Sequence, residues 1–232
     1  MQENKRKINY WLRAAIIVVC LIAFAIIKNL VMLDSISAFD DAVRYFFYDL
    51  RNPVLTTIFK GITFMGNSST VTTLAVLLII IPFTTKFFGL PAGISALLSD
   101  FVNKFIKNRV QRTRPDKTMH LVEQGGYSFP SGHAMSSLVF YGTIAYSARR
   151  KLKEKGHLGW ANAVTIILVL LIFLIGMSRV YVGVHFMSDV LAGWCMGGAL
   201  LTLFITIRET IENKLVDRKA KRAAEAEVTA EK

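Results

Sequence analysis

The stretch GHLGWANAVTIILVLLIFLIGMSRVYVGVHFMSD, residues 156–189, decides how the chain is read. From Gly156 to Ser178 it contains no charged side chain. A helix of that length rises about 1.5 Å per residue and spans the roughly 30 Å hydrocarbon core of a bilayer. Its far end is different: Ser178-Arg179 closes the run, and His185 and Asp189 follow within ten residues. An apolar span that opens directly onto a cation, an imidazole and a carboxylate points to a polar site at one membrane face.

Working outward, the same test finds other spans, because a charge at mid-bilayer costs roughly 2.5–3.5 kcal/mol on insertion scales. Gly61–Thr85, Gln124–Ala148 and Val190–Ile207 are also uncharged and long enough. Ala14–Ile27 is shorter but continues through Lys28, which can snorkel, to Leu33. Lys5, Arg6 and Lys7 ahead of it resemble a signal peptide, yet no A-x-A-like cleavage site follows, so a retained span is expected. Phe87–Ser99 continues helically through Phe101, Phe105 and Ile106, with Asp100 and Lys104 placed to pair at i, i+4. The expected fold is therefore all-α: an integral membrane bundle of six transmembrane helices. An extracytoplasmic interfacial helical segment lies between spans 1 and 2, where Phe39–Leu50 mixes Asp with Phe and Tyr. Arg51-Asn52-Pro53 and Gly66-Asn67-Ser68 are expected breaks. Residues 1–208 form one membrane-embedded domain and 209–232 a polar cytoplasmic tail.

Composition agrees. Hydrophobic residues are 53% of 232 and charged residues only 19%, yet Lys and Arg total 28 against 16 Asp and Glu, a net charge of +12. That profile excludes a disordered chain and an ordinary soluble domain. Cys20 and Cys195 lie in apolar runs without CxxC spacing and read as packing residues, not as a disulfide framework or a zinc site. Cations at Lys5, Arg6, Lys7 and Arg13, and again over Arg149–Lys155, place both termini and that loop in the cytoplasm. The loop after the third span breaks the pattern. It should lie outside, but carries Lys104, Lys107, Arg109, Arg112, Arg114 and Lys117 against Asp116 and Glu123.

Three segments gather at that outer face: Lys107 with Arg114-Pro115, then Pro130-Ser131-Gly132-His133, then Ser178-Arg179 with His185 and Asp189. Lys107, Arg114 and Arg179 bring no carboxylate of their own, and guanidinium forks match phosphate oxygens. Ser131 and Gly132 open a helix whose amides can face an anion. His185 and Asp189 at i, i+4 are expected on one face of the sixth span's first turn. There the carboxylate would fix the tautomer and leave the other ring nitrogen as nucleophile. His133 is available as general acid. His120 and His157 read as loop residues. No carboxylate cluster suits Mg²⁺, so no metal and no other cofactor is expected.

The pattern KxxxxxxRP, PSGH and SRxxxxxHxxxD is matched at every position, with 14 and then 44 residues between the segments. In this the chain resembles the type 2 phosphatidic acid phosphatase (PAP2) superfamily, and within it the bacterial membrane lipid phosphatases of the PgpB type. The resemblance implies a phosphohistidine at His185, activation by Asp189 and leaving-group protonation by His133. Phosphate would be held by Lys107, Arg114, Arg179, Ser131 and the Gly132 amide. It also implies a lipid substrate such as undecaprenyl diphosphate, phosphatidylglycerophosphate or phosphatidate, in a bacterial cell membrane with the site outside. A phosphate or lipid-phosphate transporter or binding protein without hydrolytic activity is the competing reading; it accounts for the cations but not for two imidazoles with an orienting Asp. Net charge alone would suggest nucleic acid, but no soluble basic domain exists to bind it. Oligomeric state is not legible.

Overall fold

A computed structural model describes residues 7–230, and those residues are helical or loop throughout, without a strand. Lys5 and Arg6, used above for orientation, lie outside the described residues. Helix α1 covers Tyr10–Met32, α2 Ser37–Asp49, α3 Pro53–Phe64, α4 Ser68–Ile80 and the single turn α5 Pro82–Thr84. After a π-helical turn at Thr85–Gly89 come α6 Leu90–Val110, α7 Gly132–Glu154, α8 Leu158–Tyr181 and α9 Met187–Ala230.

Local chemistry sets these boundaries. Asn52 caps α3 by accepting from the Leu55 amide at 2.9 Å, and Pro53 fills the first helical position, where a missing N–H costs nothing. Pro82 cannot continue α4 and frees the carbonyls before it; the Thr84 hydroxyl takes the Leu78 carbonyl at 2.6 Å. Gln111, in the left-handed region at φ 53°, ends α6 and turns the chain into the Arg112–Pro115 segment. Gly183 at φ 78° does the same after α8, where a side chain would also collide with the Met119 carbonyl.

Helix α7 is the core. It packs on α6, α8 and α9, and its buried face carries small and hydroxylated residues. The hydroxyls return to their own helix, Ser137 to the Ala134 carbonyl and Thr143 to the Val139 carbonyl, so they remain satisfied away from water. Helix α1 packs on α9 and leaves Trp11, Val18, Val19 and Ile22 exposed. Helix α8 likewise exposes Ile166, Ile167, Leu170 and Phe173. Apolar surface this continuous belongs against lipid.

By length and apolarity, α1, α8 and the apolar part of α9 qualify as membrane spans on their own; α3 and α4 qualify as a pair, bent by 51° across residues 65–67. Helices α6 and α7 fall short because α6 carries Asp100, Lys104, Lys107 and Arg109 and the first 17 residues of α7, though uncharged, are rich in Ser, Tyr, Gly and Thr besides His133. The Asp100–Lys104 pair forms as expected, at 2.7 Å. One expectation is corrected: the uncharged run from Gln124 is helical only from Gly132, because residues 124–131 form a loop over the polar site. The polar tail continues α9 as helix to Ala230, and Glu209 and Glu212 pair with Arg13, Arg150 and Arg208.

Candidate active site

All eight residues singled out from the sequence converge at one end of the bundle. A cavity of about 170 Å³ is lined by Lys107, Arg114, Gly132, His133 and His185, with Asn103 and the Gly66–Ser68 break at its rim. A wider hollow of about 500 Å³ at Lys117 and His120 shares Gln124 and Gly125 with it.

His185 is buried and held from both sides. Its Nδ1 lies 3.2 Å from Asp189 Oδ2, and its Nε2 lies 3.1 Å from Arg114 Nη1. An arginine can only donate, so Nε2 accepts and the ring proton sits on Nδ1, facing the carboxylate. The imidazole is thus neutral with an Nε2 lone pair turned toward the cations. Burial, with Arg114, Arg179 and Lys107 nearby, pushes it well below its ordinary 6.5. One expectation is corrected here: His185 lies in the loop before α9, not on its first turn. Asp189 alone is on that turn, and it accepts from the Phe186 amide at 3.0 Å, as a residue at that position satisfies an orphan N–H.

The three cations are held by neutral acceptors. Lys107 donates to the Tyr127 and Ser128 carbonyls. Arg114 donates to the carbonyls of Gly125, Gly126, Tyr127 and Val184. Arg179, 1% exposed, donates to Thr63 Oγ1 at 2.6 Å and Gln124 Oε1 at 2.7 Å, and its buried Nε–H has no acceptor. Among the described residues, no carboxylate pairs with any of the three. Lys107 and Arg114 line the hollow, and Arg179 keeps an unused buried donor; cations without a carboxylate partner can hold an anion.

Ser131 caps α7 and Gly132 is its first residue. A Cβ on Gly132 would meet Asn103 Oδ1 at 3.1 Å, so glycine lets α6 and the start of α7 close on each other. His133 Nε2 lies 2.8 Å from Asn67 Oδ1, at the bend between α3 and α4. The arrangement can perform phosphoryl transfer: a neutral nucleophilic imidazole, a second imidazole as acid, and donors aimed at spread negative charge.

Sequence reasoning missed several contributors. From sequence Asn67 reads only as a break, Asp40 as part of an amphipathic helix and Arg112 as one cation of a loop. Asp40 is buried, and Arg112 bridges it to Asp189. Gln124 and Thr63 carry no signal outside the fold.

Known proteins share much of this sequence and fold. A family model described as the PAP2 superfamily matches residues 88–212. Phosphatidylglycerophosphatase B of Bacillus subtilis is 33% identical over 195 residues, covering 80% of this chain and 89% of that protein. Undecaprenyl-diphosphatase of Sulfolobus acidocaldarius is 36% identical over 95 residues, covering 41% and 40%. The crystal structure of a transmembrane PAP2 type phosphatidylglycerolphosphate phosphatase from Bacillus subtilis superposes with a TM-score of 0.76 at 31% identity, covering 84% of this chain and 96% of that one. Aquifex aeolicus LpxE shares the fold, with a TM-score of 0.57 at 21% identity over 71% and 93%.

Proposed function

The chain belongs to the PAP2 superfamily and is a membrane lipid phosphatase, and from that premise we propose that it hydrolyses the terminal phosphate of a lipid phosphate or diphosphate through a phosphohistidine at His185. The observation that carries this reading is the fixed tautomer of His185, with its Nδ1–H on Asp189 and its Nε2 lone pair beside Arg114.

In this reading the substrate phosphate displaces the loop carbonyls on Lys107 and Arg114 and takes the free Nε–H of Arg179, the Ser131 hydroxyl and the Gly132 amide. Charge neutralisation by that phosphate favours protonation of His133. His185 Nε2 then attacks phosphorus as the bond to the lipid oxygen breaks in line, and His133 delivers its proton to that oxygen. Asp189 stabilises the positive ring that forms. In the second half, His133 takes a proton from water, the hydroxide attacks the phosphohistidine, and inorganic phosphate leaves with His185 restored.

Phosphatidylglycerophosphate is the first substrate to try, since the relative matched over most of its length is named for it. Undecaprenyl diphosphate follows, from the shorter match, then phosphatidate. For topology we propose six crossings, with α6 and α7 completing the set. Both termini and the 209–232 tail would then be cytoplasmic, and the site would lie on the outer face of a bacterial cell membrane. The basic run Arg149–Lys155 supports that orientation. A Lys117→Cys variant lacking Cys20 and Cys195 should react with an impermeant thiol reagent in intact cells; reaction only after permeabilisation reverses it.

Phosphate release from these lipids by the purified chain tests the chemistry. His185→Ala should lose about 10³-fold or more in kcat while remaining folded. Retention of wild-type turnover by that variant overturns the mechanism.

A further inference from the structure

The oxygen of Asp189 that does not face His185 is held by a second network, separate from the phosphate cradle. Arg112 Nη1 donates to Asp189 Oδ1 at 2.7 Å and to Ser188 Oγ at 2.7 Å. Its Nη2 donates to Asp40 Oδ2 at 2.8 Å. Asp40, fully buried on α2, accepts from the Ser188 amide at 2.8 Å and from the Ser188 hydroxyl. The guanidinium lies over the Phe186 ring, 4.2 Å from its centre. One cation thus sits between two buried carboxylates, with both terminal nitrogens hydrogen-bonded.

This arrangement has a chemical consequence. A buried carboxylate beside a neutral imidazole would take up a proton and stop accepting from Nδ1–H. A cation on its other oxygen keeps it ionised and fixes its rotation. The cation must itself be held, because a free guanidinium two residues from Arg114 would turn toward substrate phosphate. Asp40 supplies that hold through the second fork. Arg112 and Arg114 therefore divide their work by partner: carboxylates for the first, carbonyls for the second.

We infer that Arg112, clamped by Asp40 of α2, is a positioning residue for phosphoryl transfer that keeps Asp189 ionised and aims its Oδ2 at His185. The inference rests on the nucleophilic role proposed for His185. It also makes α2, otherwise an amphipathic helix at the rim, part of the catalytic apparatus.

The test uses the purified full chain in detergent with phosphatidate or phosphatidylglycerophosphate as substrate. Arg112→Gln should lower kcat about 100-fold, the scale of a lost buried charge-assisted hydrogen bond, with KM within about twofold. The acidic limb of kcat/KM should move to higher pH, because Asp189 has lost its cation while Lys107, Arg114 and His185 still face it. Arg112→Lys keeps the charge but not the fork; it should lose about tenfold in kcat and leave the limb near its wild-type position. Asp40→Asn should lose about tenfold, and adding it to Arg112→Gln should cost little more, since the two act as a unit. Arg109→Gln, an exposed cation of the same segment, should match wild type. Unfolding temperature and elution profile verify folding; if Arg112→Gln does not fold, Arg112→Lys and Asp40→Asn decide. Wild-type kcat and pH profile in the folded variants, or losses confined to KM, overturn the inference. An inactive His185→Ala beside a fully active Arg112→Gln overturns it alone; an active His185→Ala overturns the proposed mechanism and this inference with it.

Discussion

Both ends of the bundle bury arginines, but they partner them differently. At the end away from the site, Arg13 pairs with Glu209, Arg150 with Glu154 and Glu212, and Arg208 with Glu212. At the site end, Lys107, Arg114 and Arg179 meet carbonyls, an amide side chain, a hydroxyl and the neutral His185 ring. A guanidinium already neutralised by a carboxylate has little attraction left for an anion; one held by neutral dipoles keeps its full charge. Partner chemistry, more than burial, thus separates cations that hold the fold from cations left available to an anion. Arg112 applies the rule within the site: paired to Asp40 and Asp189, it belongs with the structural set although Arg114 is two residues away.

The largest break in this comparison is at Arg179. Arg179→Ala removes a cation and a buried site donor that has no acceptor, so kcat/KM should fall about 10²–10³-fold. The unfolding temperature should hold or rise, since an unpaired buried charge is gone. A stable, fully active Arg179→Ala would erase the distinction between the two ends. The converse change is Glu209→Ala, which leaves Arg13 unpaired beside a half-buried helix end. Stability should drop about 1–3 kcal/mol, read as a lower melting temperature in detergent, with kcat per folded molecule unchanged. Next in size is Asn67→Ala. His133 loses the acceptor on its Nε2, its ring is free to turn, and kcat should fall about tenfold with little effect on KM. An equal loss in Lys104→Ala, whose cation pairs in the open with Asp100, would mean the Asn67 effect is not specific to His133.

The same contrast explains what could be read from sequence. The cations, the two imidazoles and Asp189 sit in three contiguous segments whose order and spacing are local properties of the chain. Their holders are not local: Thr63 reaches Arg179, Asn67 reaches His133 and Asp40 reaches Ser188, which lies 148 positions on. Nothing about an isolated Thr, Asn or Asp announces such a contact, because packing creates it. The run Gln124–Ser131 shows a second cause. Lack of charge resembles a span, but Gly125-Gly126 and Pro130 cannot sustain a helix, and the carbonyls of that loop are spent on Lys107 and Arg114. An uncharged stretch signals a membrane only when its backbone is free to bond to itself.

The smallest expected effect lies in pH, and it too belongs to the site end. An exposed histidine near its ordinary 6.5 would be about half protonated there and would lose about half its nucleophile. Burial and the surrounding cations hold His185 well below that value. Between pH 7.5 and 6.5 the neutral form therefore persists, and kcat/KM should change less than about twofold from His185 protonation, with its limb at lower pH. Stability has the matching sign. The unfolded chain binds a proton at His185 near 6.5 and the folded chain does not, so the melting temperature should fall as pH is lowered through 6.5. Arg114→Gln should raise the acidic limb in whatever activity remains, because one of the cations opposing protonation is gone. Arg150→Gln, at the carboxylate-paired end, should leave the limb in place. A limb that moves equally in both variants would mean that net charge, and not the unpaired cations of the site, sets the proton affinity of the nucleophile.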